Sequence, residues 1–372
     1  MENFKDEWYL FDGIDQIDTP ALVIYPERVV ANISRLKAMV PSVDMLRPHV
    51  KTNKSVAATK LMVDHGITKF KCATLPEAEM LGICKAPDVL LAYQPSKIKL
   101  EKFIGLIRSY SHTSYSCLVD NIESAEMISA TAKRHGLVIP IFIDLNVGMN
   151  RTGIIPEAAF ELYTKILLLQ ALEFKGFHAY DGHIRDADLE DRIRSCDSHF
   201  TNVESLRLRI EEVGNAYPLL VAGGSPTFGI HAKRRNVECS PGTFIFWDKG
   251  YHDTIIDQDF LFAALVINRI VSRPDDTKIC IDLGYKSISS ENDLQNRVFF
   301  LNAPNLKPYS HSEEHMVIEA GEGHTYKIGD IFFSLPIHIC PTVAMYDSAF
   351  TIIGNKLESR WPITARGRDL KV

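Results

Sequence analysis

The chain's 372 residues, 46% of them apolar and 24% charged, suffice for a sizeable core and match a soluble globular protein. A formal net charge of -6 argues against a general nucleic-acid partner, and no apolar run of about 18 residues offers a membrane span. Seven cysteines without a C-x-x-C pair, and an acidic start (MENFKDEWYLFDGIDQ) with no signal-peptide pattern, argue against a disulfide framework and for a reducing, cytoplasmic setting.

In chain order, ALVIY (21–25) reads as a buried strand, and residues 26–40 carry Val29, Val30, Ile33, Leu36 and Val40 at helical spacing. The cationic stretch RPHVKTNKS (47–55) follows, then helical patterns at 54–65 and 76–84. DVLLAY (88–93), SCLVD (116–120), IPIFIDLNV (139–147), FKGFHAY (174–180) and PLLVAGG (218–224) read as strands. Helical stretches at 121–136, 156–170 and 187–213 lie between them. This alternation predicts a parallel sheet with crossover helices, foremost a (β/α)8 TIM-like barrel, with an open doubly wound sheet as the alternative. Residues 20–248 form that barrel domain in this reading. The texture of 249–372 is β-rich, predicting a mainly β C-terminal domain, with residues 1–19 as a candidate addition.

Barrel chemistry sits at C-terminal strand ends, where RPHVKT, LNVGMNRTG, HAYDGH and AGGSPT all fall. Lys51 has cationic neighbours, Arg47 and His49, of the kind that lower an amine's pKa for Schiff-base chemistry; a solvated basic turn is the competing reading. Gly223, Gly224 and Ser225 in AGGSPT, and Gly242 and Thr243 in SPGTF, offer backbone N–H groups and hydroxyls to a phosphate, though each stretch alone is also an ordinary turn. Arg151 can donate to an anionic oxygen or remain a surface arginine. Tyr180 can stack or donate, and His183 is a candidate base set against a structural role. His338 and Cys340, one residue apart in a β-like run, are expected on one side of a sheet, where imidazole and thiolate suit zinc. Two protein ligands leave positions open for a substrate hydroxyl. The competing reading is a buried cysteine beside an unrelated histidine. No H-E-x-x-H or G-x-G-x-x-G is present.

Taken together, DTPALV (18–23), RPHVKTNK (47–54), GMNRTG (148–153), AGGSPT (222–227), SPGTFIFWD (240–248) and HICPTVAMYD (338–347) resemble the fold-type III pyridoxal-phosphate enzymes of the D-threonine aldolase and D-serine dehydratase group. The resemblance spans nearly the whole chain and implies an alanine-racemase-like barrel, a β domain and usually a homodimer. It makes Lys51 the lysine that carries pyridoxal 5'-phosphate. It makes Gly223, Gly224, Ser225, Gly242 and Thr243 phosphate loops, Arg151 the phenolate's neighbour, Tyr180 the ring's neighbour, and His338 and Cys340 the metal pair. D-threonine aldolases typically show His-x-Asp with manganese or a similar ion, whereas D-serine dehydratases show His-x-Cys with zinc. The cysteine here favours zinc, with manganese as the alternative, while the following PTV…YD looks aldolase-like. The implied reaction is retro-aldol cleavage of a β-hydroxy D-amino acid to glycine and an aldehyde, with His183 as a candidate base. D-serine dehydration to pyruvate and ammonia is the alternative; a racemase and a non-catalytic cofactor carrier are further rivals.

Overall fold

A computed structural model describes residues 7–371, so residues 1–6 of the candidate N-terminal addition lie outside the described residues. Two compact units divide them. One holds residues 7–35, Thr52–Ala58 and Thr243–Arg366; the other holds Leu36–Lys51, Thr59–Gly242 and residues 367–371.

The chain opens with β1 (Ala21–Ile24), α1 (Pro26–Ala38) and α2 (Val56–Asp64). The alternation then runs β2 (Lys69–Cys72), α3 (Leu75–Ile83), β3 (Asp88–Leu91), α4 (Lys97–Ser109), β4 (Ser114–Val119) and α5 (Ile122–Arg134). It continues with β5 (Ile139–Leu145), α6 (Pro156–Ile166), β6 (Leu172–Ala179), α7 (Leu189–Glu212), β7 (Leu219–Ala222), α8 (Phe228–His231) and β8 (Val237–Cys239). A capping box starts α3: Thr74 Oγ1 accepts from Glu77 N at 3.2 Å, and the Glu77 carboxylate accepts from Ala73 N at 2.6 Å. Asn121 caps α5 in the same way, accepting from Ser124 N at 2.8 Å.

Strands β2 to β8 form a parallel sheet in sequential order. Its two edges are joined by residues 46–50. Arg47 N donates to Cys239 O (2.8 Å) and His49 N to Pro241 O (2.9 Å) on one side. Val50 N donates to Lys71 O and Lys71 N to Pro48 O on the other, both at 2.9 Å. This seam closes the sheet into the TIM-like barrel. The expected first stave, ALVIY, is elsewhere: β1 pairs with β9 (Ala264–Ser272) antiparallel and β15 (Ser348–Ile353) parallel. All four residues of β1 are buried, so its pattern gives no hint of which sheet it joins.

Alternation along the staves sorts the barrel interior into layers. Leu90, Leu118, Phe142 and Val221 make an apolar cluster. Arg47, 1% exposed, donates from Nε to Glu238 at 2.6 Å and from Nη1 to Asp88 at 2.7 Å; Lys69 Nζ reaches the other Glu238 oxygen at 2.6 Å. Arg47 is therefore engaged by carboxylates, and the expected neighbour of Lys51 is a buried structural cation instead.

The other unit is a mixed, mainly antiparallel sheet. It adds β9, β10 (Lys278–Ile281), β11 (Val298–Phe300), β12 (Lys307–His311), β13 (Met316–Glu319), β14 (Ile331–Pro336), β15 and β16 (Lys356–Pro362). The order β12-β13-β10-β9-β1-β15-β16 is extended by β14, which pairs with both β9 and β11. Short helices α9 (Lys249–Thr254) and α10 (Ile339–Ala344) interrupt it.

Candidate active site

Lys51 follows the seam, and its amide donates to His49 Nδ1 at 3.1 Å. After the bridges at Leu46 and His49 the chain turns at residues 50–51, which brings Lys51 to a cavity of about 240 Å³. Lys51, Arg151, Tyr180 and His49 line it, together with Lys71, Tyr93 and His178. The Tyr180 ring is the common neighbour: Lys51 Nζ lies 5.6 Å, Lys71 Nζ 5.5 Å and Arg151 Cζ 5.1 Å from its centroid. The structure thus brings together three of the predicted site residues, sets His178 of the HAYDGH stretch beside Tyr180, and adds one unforeseen residue, Lys71.

Asp144 and His178 are register partners on β5 and β6, and Nδ1 of His178 donates to Asp144 Oδ1 at 2.7 Å. Burial raises the Asp144 pKa, but the bonds from His178, Thr152 and Gln94 outweigh it and hold the carboxyl below its ordinary value. Burial, and then the Lys71 charge, lower the His178 pKa against the pull of Asp144. Lys71 is the strongest case: burial first, then the Lys51 charge, push its amine down to about 7, opposed by Asp181 and Asp144. Sequence reasoning missed this residue because KFKC was not read as a strand. The signal was a lysine two residues from another lysine, just before a Thr-x-x-Glu capping box.

Gly223 is left-handed (φ 79°), and a Cβ there would lie 3.1 Å from the His231 ring and 3.2 Å from the Phe228 backbone. Gly224 passes under Tyr180, where a Cβ would meet the ring at 3.2 Å. The two loops approach each other: Gly242 N donates to Ser225 Oγ at 3.3 Å. Behind them Asp181 accepts from Thr227 Oγ1 (2.9 Å) and His231 Nε2 (2.7 Å), with Cys196 Sγ 3.7 Å away. These three buried side chains, Asp181, Cys196 and His231, are close enough to share a cation. Yet His231 Nδ1 already accepts from Arg234 Nε at 3.1 Å, so the group works as a hydrogen-bonded latch between the β6 and β7 ends.

His183 does not line the Lys51 cavity. Its exposed ring stacks edge-on against exposed His199, centroids 4.9 Å apart, and both press on Gly148, where a Cβ would lie 2.7 Å from His199 and 2.9 Å from His183.

In the other unit, β14 ends at Pro336, so His338 and Cys340 are not strand residues as expected. His338 is the N-cap of α10 and Cys340 lies in its first turn, where Pro341 is tolerated because early helical N–H groups lack partners anyway. The two side chains still converge. Burial lowers the His338 pKa, but hydrogen bonding and attraction to Cys340, then Asp248 and Glu291, raise it to about 9. Glu291 accepts from His338 Nδ1, which leaves Nε2 for a cation. Cys340 Sγ lies 3.0 Å from Thr52 Oγ1 and 3.6 Å from Thr243 Oγ1. Asp248 Oδ2 accepts from Ile339 N at 3.1 Å and fixes the start of the helix.

Residues 24–249 match the family described as "Alanine racemase, N-terminal domain". The chain belongs to that family. Residues 263–352 match "Putative serine dehydratase domain", and the pair places the chain among fold-type III pyridoxal-phosphate enzymes, on the lyase branch. A 3-hydroxy-D-aspartate aldolase of Paracoccus denitrificans (strain Pd 1222) is 26% identical over 96% of this chain and 94% of its own. A D-threonine aldolase of Arthrobacter sp is 24% identical over the same shares. A D-serine dehydratase of Dictyostelium discoideum is 22% identical over 92% and 95%. The crystal structure of D-threonine aldolase from Filomicrobium marinum superposes with a TM-score of 0.87 at 23% identity, covering 97% of this chain and 99% of that one.

Pyridoxal phosphate needs an amine for its aldehyde, a cation for its phenolate and donors for its phosphate. Lys51 and Arg151 meet the first two in one cavity. Ser240 supports the third: its hydroxyl is buried at the end of β8, beside Gly242, with no hydrogen-bond partner among the described residues. The residues present fit the cofactor, and the imidazole–thiol pair fits a divalent metal of the softer kind.

Proposed function

We propose that this chain is a pyridoxal-phosphate- and divalent-metal-dependent lyase that cleaves β-hydroxy D-amino acids of the D-threonine type into glycine and an aldehyde. The observation that carries the reading is the convergence of Lys51, Arg151 and Tyr180 on one cavity at the seam of the barrel. Residues 20–248 act as the cofactor domain and 249–372 as the domain with the metal pair, in a cytoplasmic homodimer.

Pyridoxal phosphate supplies the electron sink that makes a bond at the substrate's α-carbon breakable. Lys51 is the amine that would hold it covalently. Arg151 balances an anionic ring oxygen, and Tyr180 walls the ring. Gly223, Gly224, Ser225, Gly242 and Thr243 receive the phosphate through backbone N–H groups and hydroxyls. His338 and Cys340 would hold a divalent cation, zinc by the softness of the thiolate, which would supply Lewis acidity toward the substrate's β-hydroxyl. Glu291 keeps His338 in the Nδ1–H tautomer, so that Nε2 is the ligand atom. His183, exposed beside His199, is a candidate base for the hydroxyl proton.

Dehydration of D-serine to pyruvate and ammonia is the second reading, favoured by the His-x-Cys pair. Purified protein given D-threonine or D-serine, with aldehyde and pyruvate measured separately, decides between them. Aldehyde from D-threonine is the expected outcome; pyruvate from D-serine alone reverses the order. Lys51→Ala is expected to abolish the cofactor's lysine-linked absorption band, and an unchanged spectrum refutes the anchor.

A further inference from the structure

Two lysines line the cavity, and the reaction outlined above uses one. Lys71 is 2% exposed at the C-terminal end of β2, as near to the Tyr180 ring as Lys51 is. A buried ammonium is costly without a carboxylate in contact, and no carboxylate among the described residues forms an ion pair with Lys71; its Nζ instead faces His178 Nε2 at 3.4 Å. His178 Nδ1 is committed to Asp144 Oδ1. Asp144 Oδ2 in turn accepts from Thr152 Oγ1 at 2.8 Å and Gln94 Nε2 at 3.2 Å, so the carboxylate stays ionised and cannot donate. His178 is therefore the Nδ1–H tautomer, with its Nε2 lone pair turned to the amine. Carboxylate, imidazole and amine stand in a row, the order of roles in a Ser-His-Asp triad with an amine in place of the hydroxyl.

Resting on the cofactor reading above, we propose that Lys71 is a second catalytic amine of the site, a proton-carrying group that faces the cofactor beside Lys51, with His178 and Asp144 as its positioning residues. In the exchange, an N–H bond of the Lys71 ammonium breaks as the Nε2–H bond of His178 forms. The amine keeps the electron pair, Asp144 balances the imidazolium, and no outside reactant is needed.

The charges around Lys71 set its working range. Lys51 and His49 face it from the seam and Arg151 from the loop after β5, all favouring the neutral amine when charged. Asp144 and Asp181 favour the ammonium, and Tyr93 and Tyr180 complete the walls. Burial, the largest influence, sides with the neutral form.

The test is a pH titration of the cofactor-loaded protein, followed by absorbance, in wild type, Lys71→Met, Lys71→Arg and Asp144→Asn. Wild type is expected to show a transition near neutrality. Both Lys71 variants should lose it while keeping the Lys51-linked band, because methionine cannot carry the proton and arginine cannot release it. Asp144→Asn should move it to lower pH. Turnover in Lys71→Met should fall by about 10²- to 10⁴-fold with KM little changed. A wild-type spectrum flat across neutrality, or a transition that survives both Lys71 variants, overturns the proposal. Should the variants fail to fold, the cofactor-free wild type is labelled with a small amine reagent across pH and read by mass spectrometry. Half-reactivity of Lys71 near neutrality supports the assignment; half-reactivity near the ordinary lysine value of about 10.4 defeats it. If Lys51→Ala keeps the wild-type band, the cofactor reading fails, and the labelling still decides on Lys71.

Discussion

Arg47 and Lys71 stand on neighbouring staves of one barrel and solve the burial of a cation in opposite ways. Arg47 is matched by Glu238 and Asp88, and although burial opposes it, those carboxylates raise its pKa. Arg47→Met leaves Glu238 buried with Lys69 alone, so a loss of about 3 kcal/mol or more is expected in urea unfolding. Lys71 has no such match and is pushed toward neutrality instead. An unfolded chain holds this proton up to about 10.5, the folded chain only up to about 7. Between those values the unfolded state binds more protons, so stability rises with pH and is lost again as pH falls toward 7. The burden at neutral pH is on the order of 4 kcal/mol. Cofactor-free Lys71→Met should therefore melt above wild type near pH 7, with the gap closing toward pH 10. A group that weakens the fold where it must work is the signature of function more than of packing.

Gly176 shows how narrowly an element can be drawn. It lies on β6 at φ 152°, and a Cβ there would approach the Leu219 carbonyl oxygen of β7 to 2.2 Å. Gly176→Ala should force β6 and β7 apart, lower the melting temperature and displace His178 and Tyr180, read as weakened cofactor binding. Most barrel helices and staves were legible because apolar periodicity and caps coincide there, while α4, the short α8 and the three-residue β8 were not read. β2 was not, since Lys69 and Lys71 make KFKC look solvated, and a buried lysine defies composition. β1 was legible as a strand but not as a member of the other sheet, because a segment buried on every side carries no facing signal. The His338–Cys340 pair was legible as chemistry and misread as geometry: one-residue spacing aligns side chains on a strand, and here a helix N-terminus brings them together. The glycine loops alone read as ordinary turns and Arg151 alone as a surface arginine; it was the family resemblance that drew them to Lys51, and the structure sets Arg151 and Tyr180 around the cavity that Lys51 lines. His183 drew notice for its neighbours in sequence, while its neighbours in space are His199 and Gly148.

At the scale of the molecule, each compact unit holds one part of the proposed chemistry: Lys51 in the barrel, His338 and Cys340 in the β unit. A ligand that binds only the folded form raises the melting temperature with the logarithm of its excess over Kd. Zinc is expected to raise it in wild type and not in Cys340→Ala, while the cofactor should raise it in both; equal zinc shifts in the two proteins would remove the metal assignment. No helix among the described residues is long and apolar enough to cross a membrane. The barrel itself closes through its weakest stave. Residues 46–50 contribute four main-chain rungs and no regular strand, and the anchor lysine is the next residue in line. Tension on that side chain is delivered straight to the rungs that keep a cylinder from reopening into a flat ribbon, so amide exchange at His49 and Val50 should register whether the anchor is loaded.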